Sequence, residues 1–522
     1  MSTETYDVLI IGSGHSGGMA AKMLTEYGIR CIMLNAGPVA DVTRNAERKP
    51  AYELQFRGFR PPGQIEHVFQ SNGFNANIWV DEREVPYTLE TDQPYNWVRV
   101  RLFGGRSLFW SRQSFRLSDY EFKAKSHDGF GEDWPISHTD LAPYYSRVEG
   151  IFRVTGAQDG VPQLPNGNFI PDDAPWTLAL QRFIEVAKPR GIPVCKQRRA
   201  QGRDGLASSV NLLLPDAEST GKLTSIANAV VRELTVDKNT GLPNGCSFVD
   251  RLTHREMSVK ARVVVLAAGT LESTRILLNS NLANSSGVLG HYLMDQVYGP
   301  GVLASVPDAR KGNINAWMGS AAIVPRFRNI NTKSDKFLRG YAINTTASVE
   351  AIPARNFAAY GAELQRKLDE YYGSGFYMTI MGEVLGRYEN HVRIDKGRKD
   401  AWGIPVLHVD TKYTDNEFNM AKDAVETACE LADAAGFEVL SKNDKPNPPG
   451  YSIHEVGTCR MGNDPKKSVL NKYSQSHDHK NLFIVDGAQF ASSGWQNPTM
   501  TILALSMRAS EYIAGEMMRQ NL

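Results

Sequence analysis

The stretch "DVLIIGSGHSGGMAAKMLTEYGIRCIMLNAGP", residues 7–38, constrains the fold more than any other part of the chain. It reads as strand, glycine turn, helix and strand: "DVLIIG", then "SGHSGGMAAKMLTEYG", then "RCIMLNAG". Gly12, Gly14 and Gly17 fit G-x-G-x-x-G between a predicted strand and a predicted helix, the context that gives this pattern meaning. The first glycine permits a tight turn, the second lets a pyrophosphate approach the backbone, and the third lets helix and strand pack closely. Amides at the helix N-terminus then face the phosphates. His15, inside the loop, reads as a solvated loop residue rather than a catalyst.

Asn35 lies 21 residues after Gly14, where such units usually carry the Asp or Glu that binds a ribose. An amide accepts a hydroxyl proton through its oxygen and donates through its nitrogen, so a neutral ribose contact survives. An NADP site also dispenses with the acid but needs a cation nearby. Arg30 lies at the far end of the second strand and "NAGP" adds none, so the local pattern favours FAD and leaves NADP open.

At 522 residues the chain calls for two packed domains. Lys+Arg 58 against Asp+Glu 57 gives no footprint for nucleic acid or an anionic membrane. The five cysteines (Cys31, Cys195, Cys246, Cys429 and Cys459) include no C-x-x-C pair, which argues against a zinc ribbon, an iron–sulfur ligand set or a disulfide framework. The first strand starts at Tyr6, leaving no room for an export signal, and no apolar run approaches ~18–20 residues. These features predict a cytoplasmic chain with no membrane insertion of its own; carriage by a separate exported or membrane-bound subunit stays open.

Residues 39–100 are rich in Pro, Gly and charge and read as extended excursions covering something. From Asp133 to Val154 the pattern is a loop with Pro135, an Asp140 cap and an amphipathic helix. "ARVVVLAAGTLESTRILLNS", residues 261–280, is again a buried strand meeting a helix, through Ala267, Ala268 and Gly269; Glu272 and Arg275 there read as helix-capping or solvated. Patterns such as "GFYMTIMGEVL" and "IPVLHVDTKY", then a long helix ending at Gly436, predict an antiparallel sheet with helices on one face. The fold class is therefore α/β, a Rossmann-type nucleotide domain with a discontinuous α+β domain on an antiparallel sheet. We assign 1–60, 95–150, 200–300 and 446–522 to the nucleotide domain, and 61–94, 151–199 and 301–445 to the substrate domain and covering loops.

"YSIHEVGTCRMG" places His454 ahead of Gly457 and Thr458, and Asn497 follows 43 residues later in "SGWQNPTMTILALSMRASEYI". A neutral histidine accepts protons near pH 7, and an asparagine amide orients a hydroxyl without competing for its proton. Taken alone, a buried structural histidine and a helix-capping asparagine explain the pair better than catalysis does. Asn497 suits an N-cap and Pro498 a first helical position, after which Met500, Ile502, Leu503, Leu505 and Met507 predict a buried helix. Its N-terminus, opening at Pro498, offers free amides from Thr499 onward and partial positive charge to whatever lies in front. His477 and His479 in "SHDHKN" read as a polar turn with no metal, and Cys459 as a small buried residue.

The glycine loop, "GGRSLFW" at 104–110, "DWPISHTDLAPYYSRVE", "VVVLAAGTLESTRILL", "GHYLMDQ" at 290–296, "HEVGTCRMG" and "NLFIVDGAQFASSGWQNPTMTILALSMRASEYI" occur in this order. Together they resemble the glucose–methanol–choline (GMC) family of FAD-dependent oxidoreductases over the whole chain. The terminal blocks are most similar to its bacterial sugar-oxidising branch, the pyranose oxidases and glycoside 3-dehydrogenases or 3-oxidases. The resemblance implies His454 as catalytic base with Asn497 as partner, and Asp486 and Gly487 near the pyrophosphate and ribityl chain. It also implies Val231 near the adenine and Arg106, Ser107 and Trp110 along the isoalloxazine, with Ala268 and Gly269 in the second nucleotide turn. "GGRSLFWSRQS" lacks the histidine to which some relatives attach FAD, so noncovalent FAD is expected. No cysteine-rich insertion lies around 195–213 for an internal electron relay.

The implied reaction oxidises a secondary ring hydroxyl of a sugar or glycoside, at C3 ahead of C2, with Gln296, Trp495 and Gln496 as substrate contacts. Oxygen, a quinone or a redox protein would take the electrons. A small or aryl primary alcohol is the alternative substrate, and a non-catalytic FAD-binding partner subunit the alternative of another class.

Overall fold

The computed structural model describes residues 5–39, 50–331 and 333–522. In chain order the first part contains β1 (Thr5–Ile11), α1 (His15–Glu26), β2 (Cys31–Leu34) and α2 (His138–Phe152). It continues through β3 (Leu223–Ile226), β4 (Ala229–Val236), β5 (Pro243–Asp250), β6 (Glu256–Leu266) and α3 (Thr270–Ser280). Then come β7 (Gly301–Ser305), β8 (Ser320–Val324), β9 (Tyr341–Ser348), β10 (Gly375–Glu383), β11 (His391–Lys399) and β12 (Pro405–Asp410). The last part holds α4 (Asp415–Ala434), β13 (Glu438–Asn443), β14 (Leu482–Ile484) and α5 (Thr499–Met518).

The first sheet runs β3-β2-β1-β6-β5-β4, with β14 also paired to β6. Its central strands are parallel, and β5 and β4 form an antiparallel edge. Val8, Leu9, Ile10, Val263, Val264 and Val265 are wholly buried, as expected of strands covered on both faces. Register decides where the chemistry sits. Ile11 stands opposite both Leu34 and Leu266, and Leu266 opposite Ile484. The next residues, Gly12, Asn35, Ala267 and Val485–Asp486, therefore leave the sheet together at its carboxyl edge, where open α/β sheets bind ligands.

The second sheet is antiparallel, in the order β13-β7-β10-β9-β8, extended by Cys195–Lys196 beside β8. Met420, Ala424, Ala428 and Leu431 of α4 pack against Ile343 and Ile380 on one face. Strand alternation turns Asn344 and Met381 to the other face, toward the cavity described below. Gln296–Val297, inside the 200–300 block read as nucleotide domain, pairs with β10 instead. A third sheet joins β11, β12 and Thr88–Leu89 and packs its Val392, Leu407 and Val409 against Leu271 of α3. The excursion from 39 to 100 consists of short turns and that one brief strand, apart from residues 40–49, which lie outside the described residues.

Two helix starts differ from the sequence reading. Ser137, not Asp140, caps α2; Asp140 is its capping-box partner, accepting from the Ser137 amide at 2.8 Å. α5 begins at Thr499 with no side-chain cap, because the Asn497 amide is turned to His454.

Candidate active site

A cavity of about 650 Å³ opens at the carboxyl edge of the first sheet and extends to the antiparallel sheet. Gly12, at φ +109°, could not carry a side chain: a Cβ there would sit 2.2 Å from the Ala267 carbonyl oxygen. A Cβ on Gly17 would lie 1.9 Å from the Gly12 oxygen, so this glycine sets how closely α1 meets β1. Gly14 differs, since a Cβ there would meet only the Gly104 oxygen, at 3.9 Å. What its missing side chain leaves open is cavity, and α1 begins beyond it without a capping side chain or an acidic first turn. The cradle fits a diphosphate.

Asn35 lies on the cavity wall with both ends of its amide engaged. The Ser13 hydroxyl donates to Asn35 Oδ1 at 2.9 Å, and Asn35 Nδ2 donates to the Gly37 carbonyl at 3.1 Å. Ser13 Oγ in turn accepts from the Gly104 amide, tying the glycine loop to the 104–110 segment. On the opposite side Asp486 accepts from the Gly269 amide (3.0 Å), Ser273 Oγ (2.5 Å) and the Ala488 amide (3.0 Å). Burial nevertheless raises its carboxyl above the usual range. Val231, Ala268, Gly269, Asp486, Gly487, Arg106, Ser107, Trp110, Pro498 and Thr499 all line the same cavity, whereas Gly17 stands behind it.

His454 follows a strained turn. Ile453 has φ +63°, unfavourable for a β-branched residue. Asp295, absent from the sequence reading, holds that turn by accepting from the His454 amide (3.0 Å), the Gly450 amide (2.8 Å) and Ser452 Oγ. Arg106 Nη1 donates to the Ile453 carbonyl at 3.2 Å and to Glu455 Oε2 at 2.6 Å. His454 Nδ1 lies 2.7 Å from Gln296 Oε1, and Nε2 3.2 Å from Asn497 Nδ2. Burial, followed by the Arg106 charge, lowers His454 to about 3, so the ring is neutral at ordinary pH. Asn497 Oδ1 is buried without a partner, an orphan that a bound group would satisfy.

Several sequence expectations change here. Trp495, Gln496 and Gln296 are absent from the cavity wall and 0%, 1% and 2% exposed. Trp495 packs with Phe115, Leu164 and Ile323, and Gln496 Nε2 donates to Glu121 at 3.1 Å. Adjacency to Asn497 misled because the chain turns these side chains into the core. His15 is not solvated: it opens α1, its Nε2 lies 3.2 Å from the Ala207 carbonyl, and its ring meets Trp110 edge-on. Burial lowers it to about 4. Glu272 and Arg275 are not solvated either. Arg275 is buried against Asp400 at 2.7 Å, and Glu272 pairs with Arg101 at 2.7 Å. Burial raises Glu272, but the charges of Arg101, Arg275 and Arg99 outweigh it and hold the carboxyl at about 2.

Residues that the sequence did not single out complete the wall. Tyr298, Asn344 and Met381 come from the antiparallel sheet and its edge, while Gln113, Phe69 and Tyr451 come from loops. Phe69 and Tyr451 stack at 3.6 Å. The reading of 39–100 as excursions covering something was the only advance signal for Phe69; long-range packing brings the others in.

A dinucleotide cradle at a parallel-sheet edge, joined to a neutral buried histidine beside an asparagine amide, defines a flavoprotein oxidoreductase. Residues 5–47 match the FAD binding domain and residues 387–506 the C-terminal region of GMC oxidoreductase. The chain is 28% identical to 2-methyl-1,2-propanediol dehydrogenase of Mycolicibacterium austroafricanum, over 98% of this chain and 96% of that one. It is also 28% identical to the fructose dehydrogenase large subunit of Gluconobacter japonicus, over 99% of each. The fold superposes on the crystal structure of pyridoxine 4-oxidase from Mesorbium loti with a TM-score of 0.62, at 19% identity over 97% of this chain and 99% of that one. The chain thus carries an FAD binding domain and a GMC oxidoreductase C-terminal region, the parts of an enzyme acting on CH–OH groups. No helix among the described residues is long and apolar enough to cross a membrane.

Proposed function

We propose that the protein oxidises a secondary ring hydroxyl of a sugar or glycoside to the keto sugar, C3 ahead of C2, using noncovalently held FAD. The observation that carries this reading is the character of the cavity wall beside His454. The antiparallel sheet contributes Tyr298, Asn344 and Met381, and the loops Phe69, Gln113 and Tyr451. These are aromatic faces and neutral hydrogen-bonding groups, which suit the stacking and hydrogen bonding of a polyol. Gln197 Nε2 donates to Asn344 Oδ1 at 2.5 Å, leaving Asn344 Nδ2 as a donor for a substrate oxygen.

On this reading the unit built on the first sheet holds FAD and the antiparallel unit supplies the substrate wall. His454 Nε2 accepts the hydroxyl proton, and Asn497 orients the hydroxyl through its amide. Asn35 keeps a neutral ribose contact, Gly14 and the first amides of α1 carry the pyrophosphate, and Arg106, Ser107 and Trp110 flank the ring system. The free amides at Thr499 present partial positive charge to the cofactor. When bound, FAD supplies the acceptor for the hydride leaving the carbinol carbon. The electron acceptor that follows is oxygen, a quinone or a redox protein.

The test is to release the cofactor by denaturation, then to mix holoenzyme anaerobically with monosaccharides, glycosides and small diols while following flavin absorbance. Bleaching by sugars, with a 3-keto product by NMR, is expected. Bleaching by 2-methyl-1,2-propanediol but by no sugar overturns the substrate class, and flavin that stays on the denatured chain overturns noncovalent attachment. His454→Ala should retain FAD yet reduce it at least ~100-fold more slowly; unchanged kinetics would remove His454 from the base role.

A further inference from the structure

We infer that Gln296 is the positioning residue that sets the tautomer of His454; the inference rests on His454 being the base. The Gln296 amide cannot be turned around at will. Its Nε2 donates to the Gly494 carbonyl at 2.5 Å and to the Gln496 carbonyl at 2.8 Å. Two carbonyl oxygens can be satisfied only by the amide nitrogen, because an oxygen in its place would face both at repulsive range. The remaining end of the amide, Oε1, therefore faces His454 Nδ1 at 2.7 Å and can only accept. The proton of the neutral ring lies on Nδ1, and Nε2 presents its lone pair beside Asn497 and the cavity.

This matters because a free neutral histidine in water favours the opposite form, with the proton on Nε2, which cannot accept a hydroxyl proton. The two carbonyls that fix the glutamine belong to Gly494 and Gln496, directly ahead of Asn497, so one side chain registers the histidine against the asparagine segment. The preceding residue completes the device. Asp295 accepts from the His454 and Gly450 amides and from Ser452 Oγ, so the Asp295–Gln296 pair holds the backbone and the ring of His454 at once. At 2% exposure Gln296 stays off the cavity wall and reaches it only through His454.

The experiment uses FAD-loaded protein labelled with 15N-histidine, with His454→Gln identifying the resonance among eleven histidines. Long-range proton–nitrogen correlation should show a protonated Nδ1 and an unprotonated Nε2 in the native enzyme. Gln296→Met should shift the ring toward the Nε2–H form and slow flavin reduction by about 10-fold, the scale of one lost hydrogen bond, with FAD content unchanged. Gln296→Glu puts its second oxygen against the Gly494 and Gln496 carbonyls, where it must carry a proton and donate to one of them; the neutral carboxyl then keeps its carbonyl oxygen opposite Nδ1, so it should restore the native tautomer. A protonated Nε2 in the native enzyme overturns the inference. So does a Gln296→Met enzyme with native tautomer and rate, or a Gln296→Glu enzyme that behaves like the Met variant. Should Gln296→Met fail to fold, the native tautomer and the Glu variant decide. The tautomer is read directly, so failure of His454 as base, seen in His454→Ala kinetics, is separable from failure of this assignment.

Discussion

Gly14→Ala should separate folding from cofactor binding. Gly14 has φ −64° and ψ −167°, an extended conformation that alanine adopts without strain. The new methyl would meet the Gly104 oxygen at 3.9 Å, an ordinary contact. The apo-protein should therefore be unchanged or more stable by ~0.4–1 kcal/mol, through a stiffer unfolded chain. For a chain of this size that moves the melting midpoint by less than ~2 °C. With cofactor present, the same methyl occupies the space the loop leaves for a pyrophosphate. Overpacking costs ~1–3 kcal/mol, which is ~5–150-fold in Kd. Quenching of FAD fluorescence against apo-protein measures the second effect, and thermal unfolding without FAD the first. Gly12→Ala is the contrast: its Cβ would lie 2.2 Å from the Ala267 oxygen at φ +109°, so it should fail before any cofactor is added. A Gly14→Ala protein with native FAD affinity would refute the cradle, and one whose apo form melts more than ~5 °C lower would refute the packing argument.

Arg106→Met leaves Glu455 (side chain 1% exposed) without its cation. It should cost about 2 kcal/mol by urea unfolding, less than the ~3–5 of a fully buried pair because Arg106 keeps 36% exposure. It should also raise the pKa of His454 in an NMR titration, since the Arg106 charge is the second cause of that residue's depression. Acid stability carries a sign for each buried group. His454 stays neutral down to about 3 while the unfolded chain binds a proton below about 6.5, so its contribution falls as pH drops through that window. Asp295, raised to about 6 by burial and then by Glu455, acts oppositely between about 4 and 6. Urea midpoints at pH 7, 6 and 5 should therefore fall less steeply in His454→Gln than in the native protein, and more steeply in Asp295→Asn. Asp295→Asn should also slow flavin reduction by about 10-fold or more at unchanged FAD content, because one of the three donors holding the His454 turn loses its acceptor.

The nucleotide loop was legible because its requirements are local. Gly12 needs a positive φ, Gly17 a missing Cβ, and both follow a strand whose apolar run is visible in the sequence. His454 and Asn497 were legible through the ordered blocks around them rather than through spacing. The fate of Trp495, Gln496 and Gln296 was not legible, because proximity in sequence does not fix the direction of a side chain in irregular backbone. Asp295 stayed invisible for a related reason: its partners lie 155 to 159 residues away.

By itself, then, the sequence determined a dinucleotide cradle, the FAD-dependent chemistry of the family and the pair of residues that face each other across the site. Tertiary structure decided how those residues are held. Parallel register brings Gly12, Asn35, Ala267 and Asp486 to one sheet edge. Two carbonyls on a distant segment fix the Gln296 amide and through it the ring of His454. Strand and helix periodicities are written in short windows of sequence. The orientation of a buried amide depends on which acceptors surround it, and those acceptors are assembled only when the chain is folded.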